Sequence, residues 1–277
     1  MSPLDFVIIL ALISVGAGLL GSLVGLGGGI IIVPVLTLLF HINIRLAIGA
    51  SIISVIATSS GAAIAYVKER LTNLKAGMFL EIATTTGAIT GAFLTTLLTG
   101  RILYVLFAVV LLYSSYSMLS KRKTMISTTS DDKIANYFDL HGSYYDQNEA
   151  KEISYKVTRT KLGLIIMYIA GIISALLGVG SGTLKVSALD TAMRMPIKAS
   201  TATSDFMIGV TAAASAGAYF SRGQIDPFLA APIVVGILIG AFIGSKMLNN
   251  IKPAHIKILF LIVLLVIAAE MIQRGLS

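Results

Sequence analysis

The chain contains no cysteine, which excludes disulfides, iron–sulfur clusters and thiolate metal sites. Its three histidines, His41, His141 and His255, are too scattered for any metal-ligand spacing. No HExxH, GxSxG or GxxxxGK[ST] pattern occurs, so neither hydrolytic chemistry nor transport driven by this chain's own ATP hydrolysis is expected. The sequence therefore calls for no catalytic residue, no metal and no cofactor. Charge is also scarce: 12% of the 277 residues are charged and 56% are hydrophobic, with a mean hydropathy of +0.90. That balance excludes an ordinary soluble globular chain.

What is present is a series of apolar runs, at about 6–24, 46–67, 77–98, 102–119, 162–178, 199–220, 227–249 and 256–273. Each approaches the ~20 residues that a helix needs to cross ~30 Å of hydrocarbon. Continuous runs rather than alternating ten-residue segments point to helices, not a β-barrel. No Lys or Arg precedes Arg45, so the first run lacks the basic flank of a signal peptide and reads as a retained helix. The net charge of +8 falls mainly at helix ends and in one insert, a pattern of membrane orientation rather than nucleic-acid binding.

The polar stretch Ser120–Thr160 divides the chain into hydrophobic halves, 1–119 and 161–277. Adding 153 carries Gly18, Leu23, Gly25, Gly27, Gly29 and Val33 onto Gly171, Leu176, Gly178, Gly180, Gly182 and Val186. The same register pairs Ser51 with Ser204, Thr58 with Thr211, Tyr66 with Tyr219, and Gly87 and Gly91 with Gly240 and Gly244. A gapless register of this kind identifies an internal duplication. The basic residues then set orientation. If the chain turns back at its glycines, Lys68, Arg70, Lys75, Arg194, Lys198, Lys246, Lys252 and Lys257 share a side with the Lys121–Arg122–Lys123 cluster. Arg45, Arg101, Arg222 and Arg274 lie opposite. The positive-inside rule prefers this arrangement. It makes the halves inverted, places the 120–160 linker in the cytoplasm and puts both termini outside the cell membrane.

Within "GSLVGLGGGIIIVPVLTLLF", five glycines fall in nine residues of an apolar run. The leg after them, Ile30–Phe40, gives only about 17 Å of helix, too short to span. Irregular backbone at membrane depth is tolerated where it is buried in protein or lines a wet cavity, and glycine allows the close approach that this needs. The second half repeats the turn as "GVGSGTLKVSALD". Gly27, Gly28 and Gly29 with Gly180, Ser181 and Gly182 are thus candidate site residues. Gly87, Gly91, Gly240 and Gly244 read instead as helix-packing glycines.

The stretches "GLLGSLVGLGGGIIIVPVL", "GIISALLGVGSGTLKVSALD" and "ASTATSDFMIGVTAAASAGAYF" resemble the TauE/SafE sulfite exporter family of membrane transporters. The insert, with "YDQNEAKEISYKV", resembles a cytoplasmic linker found in a subset of such proteins. The resemblance implies transport, with sulfite, sulfonates and related small sulfur-containing anions as the substrate class. Ser181 stands where glycine is common in that family, and Asp205 where asparagine is common.

Ionisable residues at membrane depth usually face a bundle interior or water. Lys185, three residues past the second turn, reads either as a cation for a bound anion or as a snorkelling lysine. Asp205 reads as a partner of Lys185, a proton carrier or an acceptor of local hydroxyl bonds. Asp190 is expected in a solvated pair with Arg194, and Glu81 and Glu270 near helix ends without a role. The paired hydroxyls Ser51 and Ser204 are candidates to line the cavity, because a sulfonate or sulfite offers acceptor oxygens.

The expected fold is an all-α polytopic membrane protein of two repeated, inverted halves, each a glycine-broken helical hairpin plus three spanning helices. The expected function is secondary transport of a small anion by alternating access, with proton coupling through Asp205 as an option. A passive anion channel is the near alternative, and a membrane-embedded enzyme or a scaffold docking through the insert is more remote. Expected partners are a small anionic substrate and the lipid bilayer, not nucleic acid, and the oligomeric state is left open.

Overall fold

A computed structural model describes residues 2–24, 28–119, 132–146, 151–247 and 253–276. The first half begins with α1 (Pro3–Val24), followed beyond the glycine turn by the short α2 (Gly29–Pro34). A π-helical segment, Val35–Leu39, continues α2, and α3 (Ile44–Lys68), α4 (Leu74–Leu97) and α5 (Gly100–Leu119) complete the half. The insert holds α6 (Lys133–Tyr137) and an antiparallel hairpin of β1 (Gly142–Asp146) and β2 (Lys151–Tyr155), pairing Gly142 with Tyr155. The second half contains α7 (Thr160–Leu177), α8 (Gly182–Ser187) with its π-helical continuation Ala188–Ala192, α9 (Ile197–Ser221), α10 (Pro227–Met247) and α11 (Pro253–Leu276).

The duplication is written into these bounds. Displaced by 153 residues, α2, its π segment and α3 coincide at both ends with α8, its π segment and α9. The first residues of α4 and α5 map likewise onto those of α10 and α11. The protein is a helical membrane protein. Five segments, Leu4–Gly21, Ile44–Lys68, Leu74–Leu97, Gly100–Leu119 and Thr160–Leu177, are long and apolar enough to cross a membrane. The expected span at 199–220 is more polar: α9 has the length, but it carries Lys198, Asp205 and a row of hydroxyls. The expected spans at 227–249 and 256–273 belong to α10 and α11, whose junction, 248–252, lies outside the described residues.

Glycine decides which helices meet. A side chain at Gly18 or Gly240 would run into the backbone of α10 or α1, and one at Gly87, Gly91 or Gly171 into the backbone of α7 or α4. Packing of α1 on α10 is thus repeated by α7 on α4, with backbones close enough for dense dispersion contact. The side-chain surroundings of Gly244 lie outside the described residues. In the centre, α3 packs on α9, and the chain just after α3 meets the first turns of α9, where the Asn73 N–H donates to Thr203 Oγ1 at 3.0 Å. These two helices therefore run in opposite directions, as do α5 and α11, since Gly275 lies against Val105 and Arg101.

One end of the bundle gathers arginines on backbone carbonyls. Arg45 donates to Leu98 O at 2.8 Å, Arg222 to Ala92 O at 2.5 Å and Arg274 to Thr37 O at 2.5 Å. The other end is covered by the insert, whose Leu140, Tyr144, Tyr155 and Val157 share a buried cluster with Leu80, Leu189, Met193 and Met207. Asn73 joins them: it caps α4 through Ala76 N at 2.9 Å and donates to Leu140 O at 2.9 Å and Tyr155 Oη at 3.1 Å. Asp132 caps α6 through the N–H groups of Ile134 and Ala135 and accepts from Thr160 N at 2.5 Å, so one carboxylate ties the insert to the start of α7. Burial opposes that charge, yet the bonds from Thr160, Ala135 and Ile134 hold the carboxyl below its usual range.

Candidate functional site

The two glycine turns meet inside the bundle. Gly28 has an ordinary right-handed backbone, φ −70 and ψ −16, at the start of α2. The second turn is more contorted, with Gly178 at φ 67, Gly180 at φ 74 and Ser181 at φ 47 before α8 begins. A left-handed backbone suits glycine and disfavours serine. Even so Ser181 is buried there, and its Oγ has no hydrogen-bond partner among the described residues. Gly25 and Gly27, expected in the first turn, lie outside the described residues.

Ser51 is the hinge between the turns. Its Oγ stands 2.7 Å from Gly178 O and 3.2 Å from Gly29 O, bridging carbonyls of both halves. Gly29 makes this approach possible, since a side chain on it would stand 2.7 Å from both Gly178 O and Ser51 Oγ. Ser204, the partner of Ser51, donates to Gly182 O at 3.4 Å. Gly180 packs against Val55 and Ile208, the facing walls of α3 and α9. The structure thus brings together Gly29, Ser51, Gly180, Ser181, Gly182 and Ser204. Gly28 lies just behind, against Ile237.

Lys185 is fully buried, so its ammonium reaches no membrane interface and the snorkelling reading is set aside. Its Nζ donates to Thr211 Oγ1 at 2.6 Å and to Met207 O at 3.2 Å. Thr211 Oγ1 lies 2.6 Å from Glu81 Oε1 and 2.7 Å from Met207 O. An ammonium can only donate, so the Thr211 hydroxyl accepts from Lys185 and turns its own proton toward Glu81 or Met207. Glu81 Oε1 also accepts from Thr85 at 3.2 Å, while Oε2 is buried without a hydrogen-bond partner among the described residues. Asp205 is 8% exposed and within electrostatic reach of Lys185, but among the described residues no carboxylate comes within 4.0 Å of that ammonium. The backbone carbonyl of Asp205 accepts from Ser59.

Three expectations change. Lys185 is linked to Glu81 through Thr211 rather than paired directly with Asp205. Glu81 sits two turns inside α4 and is 7% exposed, not at a helix end. Asp190, expected to be solvated, is 3% exposed in the π segment after α8. Glu81 obeys the same rule that singled out Lys185, an ionisable group at membrane depth. Its place four residues into the apolar run at 77–98 resembles a helix end in sequence, which hides its depth. Chemically, the cluster offers a dehydrated cation, two carboxylates and two hydroxyls beside irregular backbone. Buried charges of this kind persist only where partners compensate them.

The profile of the family described as sulfite exporter TauE/SafE matches residues 10–271. The probable membrane transporter protein YunE of Bacillus subtilis is 28% identical over 275 residues, 97% of this chain and 98% of the relative. YdhB of the same organism, also described as a probable membrane transporter protein, is 25% identical over 241 residues, covering 87% of this chain and 89% of the relative. A probable membrane transporter protein of Methanocaldococcus jannaschii is 24% identical over 273 residues and covers 92% of both chains. No solved structure matches the chain.

Proposed function

The chain belongs to the sulfite exporter TauE/SafE family, and from that membership we propose that it is a secondary transporter of small anions, with sulfite, sulfonates and related sulfur-containing anions as its cargo. The observation that carries the proposal is Lys185, a fully buried ammonium four residues past Ser181 of a left-handed glycine turn, whose hydroxyl has no hydrogen-bond partner among the described residues. An anion seated between them gains a charge-assisted bond and a hydroxyl donor. Ser51 and Ser204 hold the turn carbonyls in place around it.

Charge counting supports proton coupling. Lys185, Glu81 and Asp205 sum to −1 when all are ionised, so another anion is admitted at low cost only with a compensating proton. Glu81 therefore joins Asp205 as a carrier of that proton. The antiparallel crossing of α3 and α9 supports inverted halves rocking around the paired turns. Cysteines at Asn43 and Ser221 are expected to react with an impermeant reagent from the same side, and one at Ser130, outside the described residues, from the other.

The transport test is uptake into proteoliposomes of sulfite, sulfate, thiosulfate, taurine, sulfoacetate and carboxylate controls, with and without a proton gradient. Accumulation of sulfur anions against their own gradient, abolished when the proton gradient is collapsed, is the expected result. Flux that only equilibrates the anion points to a channel, and no flux of any sulfur anion removes the substrate class.

A further inference from the structure

At the insert end of the bundle, a groove of about 670 Å³ lies between the last turns of α5, the start of α7 and the π segment after α8. Its rim carries two arginines, Arg159 just before α7 and Arg194 just after the π segment. Both hold a left-handed backbone, φ 53 and 58, uncommon for a residue with a side chain, so each guanidinium leaves the chain at a sharp corner. Neither guanidinium makes a hydrogen bond or ion pair among the described residues. Asp190 also lines the groove, so its described lining carries two basic side chains and one acidic one.

The rest of the groove is mixed: its lining includes the apolar Leu162, Ile166 and Leu184 together with the hydroxyl-bearing Ser117, Ser187 and Thr191. Its outer edge is formed by Tyr113 and Tyr116, 39% and 72% exposed on a helix long and apolar enough to span the membrane. Side chains so exposed on a spanning helix face acyl chains, and tyrosine favours the depth where chains give way to headgroups. Basic residues above a partly apolar slot between helices, open sideways to lipid, match an anionic headgroup with its chain attached.

We propose that this groove binds an anionic phospholipid of the adjoining leaflet, with its phosphate between Arg159 and Arg194 and one acyl chain along Ile166 and Leu184 between α5 and α7. Such a lipid abuts the same short helix that carries Lys185, so its occupancy bears on the rigidity of the second turn. The proposal stands whether or not the cargo is a sulfur anion.

The full chain in detergent is titrated with phosphatidylglycerol, with phosphatidylcholine of equal chain length and with glycerol phosphate, reading lipid adducts by native mass spectrometry and the thermal unfolding midpoint. Phosphatidylglycerol is expected to bind about tenfold more tightly than phosphatidylcholine and to raise the midpoint, with no shift from glycerol phosphate. The double variant R159Q/R194Q loses the preference, whereas K161Q, at an exposed lysine two positions from Arg159, keeps it. L162W fills the groove with both arginines intact and weakens both lipids, which keeps the test decisive if the arginine variant does not fold. Equal binding of the two lipids, an undiminished preference in R159Q/R194Q, or unchanged phosphatidylglycerol affinity in L162W overturns the proposal. Displacement of the lipid by glycerol phosphate or sulfite at matching affinity also overturns it and assigns the groove to small anions.

Discussion

The first and second glycine turns share their helix bounds to the residue, yet their chemistry has diverged. Where the second half places Lys185 and Asp205, the register puts Ile32 and Ile52 in the first half, while Glu81 of the first half is matched by Val234 in the second. Ile32 and Ile52 are buried in the apolar core. Thr211 joins a lysine to a glutamate, whereas its partner Thr58 bonds only to carbonyls of its own helix, Ser54 O and Val55 O, both at 3.1 Å. The backbone of a duplicated unit is set by glycines and packing, which both copies keep. Buried charge needs partners drawn from several helices, and here Glu81 of the first half joins Lys185 and Asp205 of the second.

The largest effect expected from breaking this contrast is at Lys185. Lys185→Met leaves two buried carboxylates without their cation, costing about 3–5 kcal/mol of stability and abolishing transport. Ile32→Met, at the matching position, costs less than about 1.5 kcal/mol because hydrophobic volume is nearly conserved. Thermal unfolding in detergent and flux in vesicles measure both. If K185M/E81Q recovers the stability together with wild-type transport, the charges hold the fold and do not handle the anion.

Next comes the contact between the turns. Gly29→Ala drives a methyl into the Gly178 carbonyl, a backbone atom, and is expected to cost about 1–3 kcal/mol and most of the flux. Gly28→Ala meets only the flexible tip of Ile237, so it costs less. Equal losses at the two positions contradict the assignment of Gly29 as the point of contact.

Ser181→Gly separates stability from function. It relieves a left-handed serine and is expected to raise stability by about 0.4–1 kcal/mol. Loss of one hydroxyl donor should weaken anion affinity by up to about tenfold, which competition binding detects. Unchanged affinity removes Ser181 from the site.

The smallest effect on transport lies outside the membrane. Asp132→Ala removes the cap of α6 and the link to Thr160, costing about 1 kcal/mol while transport persists. The folded-state carboxyl titrates below its usual range, so its contribution is present above the unfolded value near 3.9 and lost as pH falls through the lower folded value. Unfolding curves of wild type and variant should therefore differ at pH 7 and converge under strong acid.

The helical membrane class, the register of 153 and the short legs after the glycines were legible because they rest on local properties: apolar run length, glycine placement and self-similarity. Lys185 and Asp205 were visible as charges in apolar surroundings. Their partners were not, because Thr211 and Glu81 lie 26 and 104 residues from Lys185 and only the packing of α4 against α9 brings them together. Nor did composition reveal that Ser181, and not its partner Gly28, takes the left-handed backbone, since that depends on how each turn meets the opposite half. Hydrophobicity and backbone geometry act residue by residue, so the sequence determined the spans and the breaks. Charge compensation acts through space, so only the tertiary structure decided which groups became the partners of the buried charges.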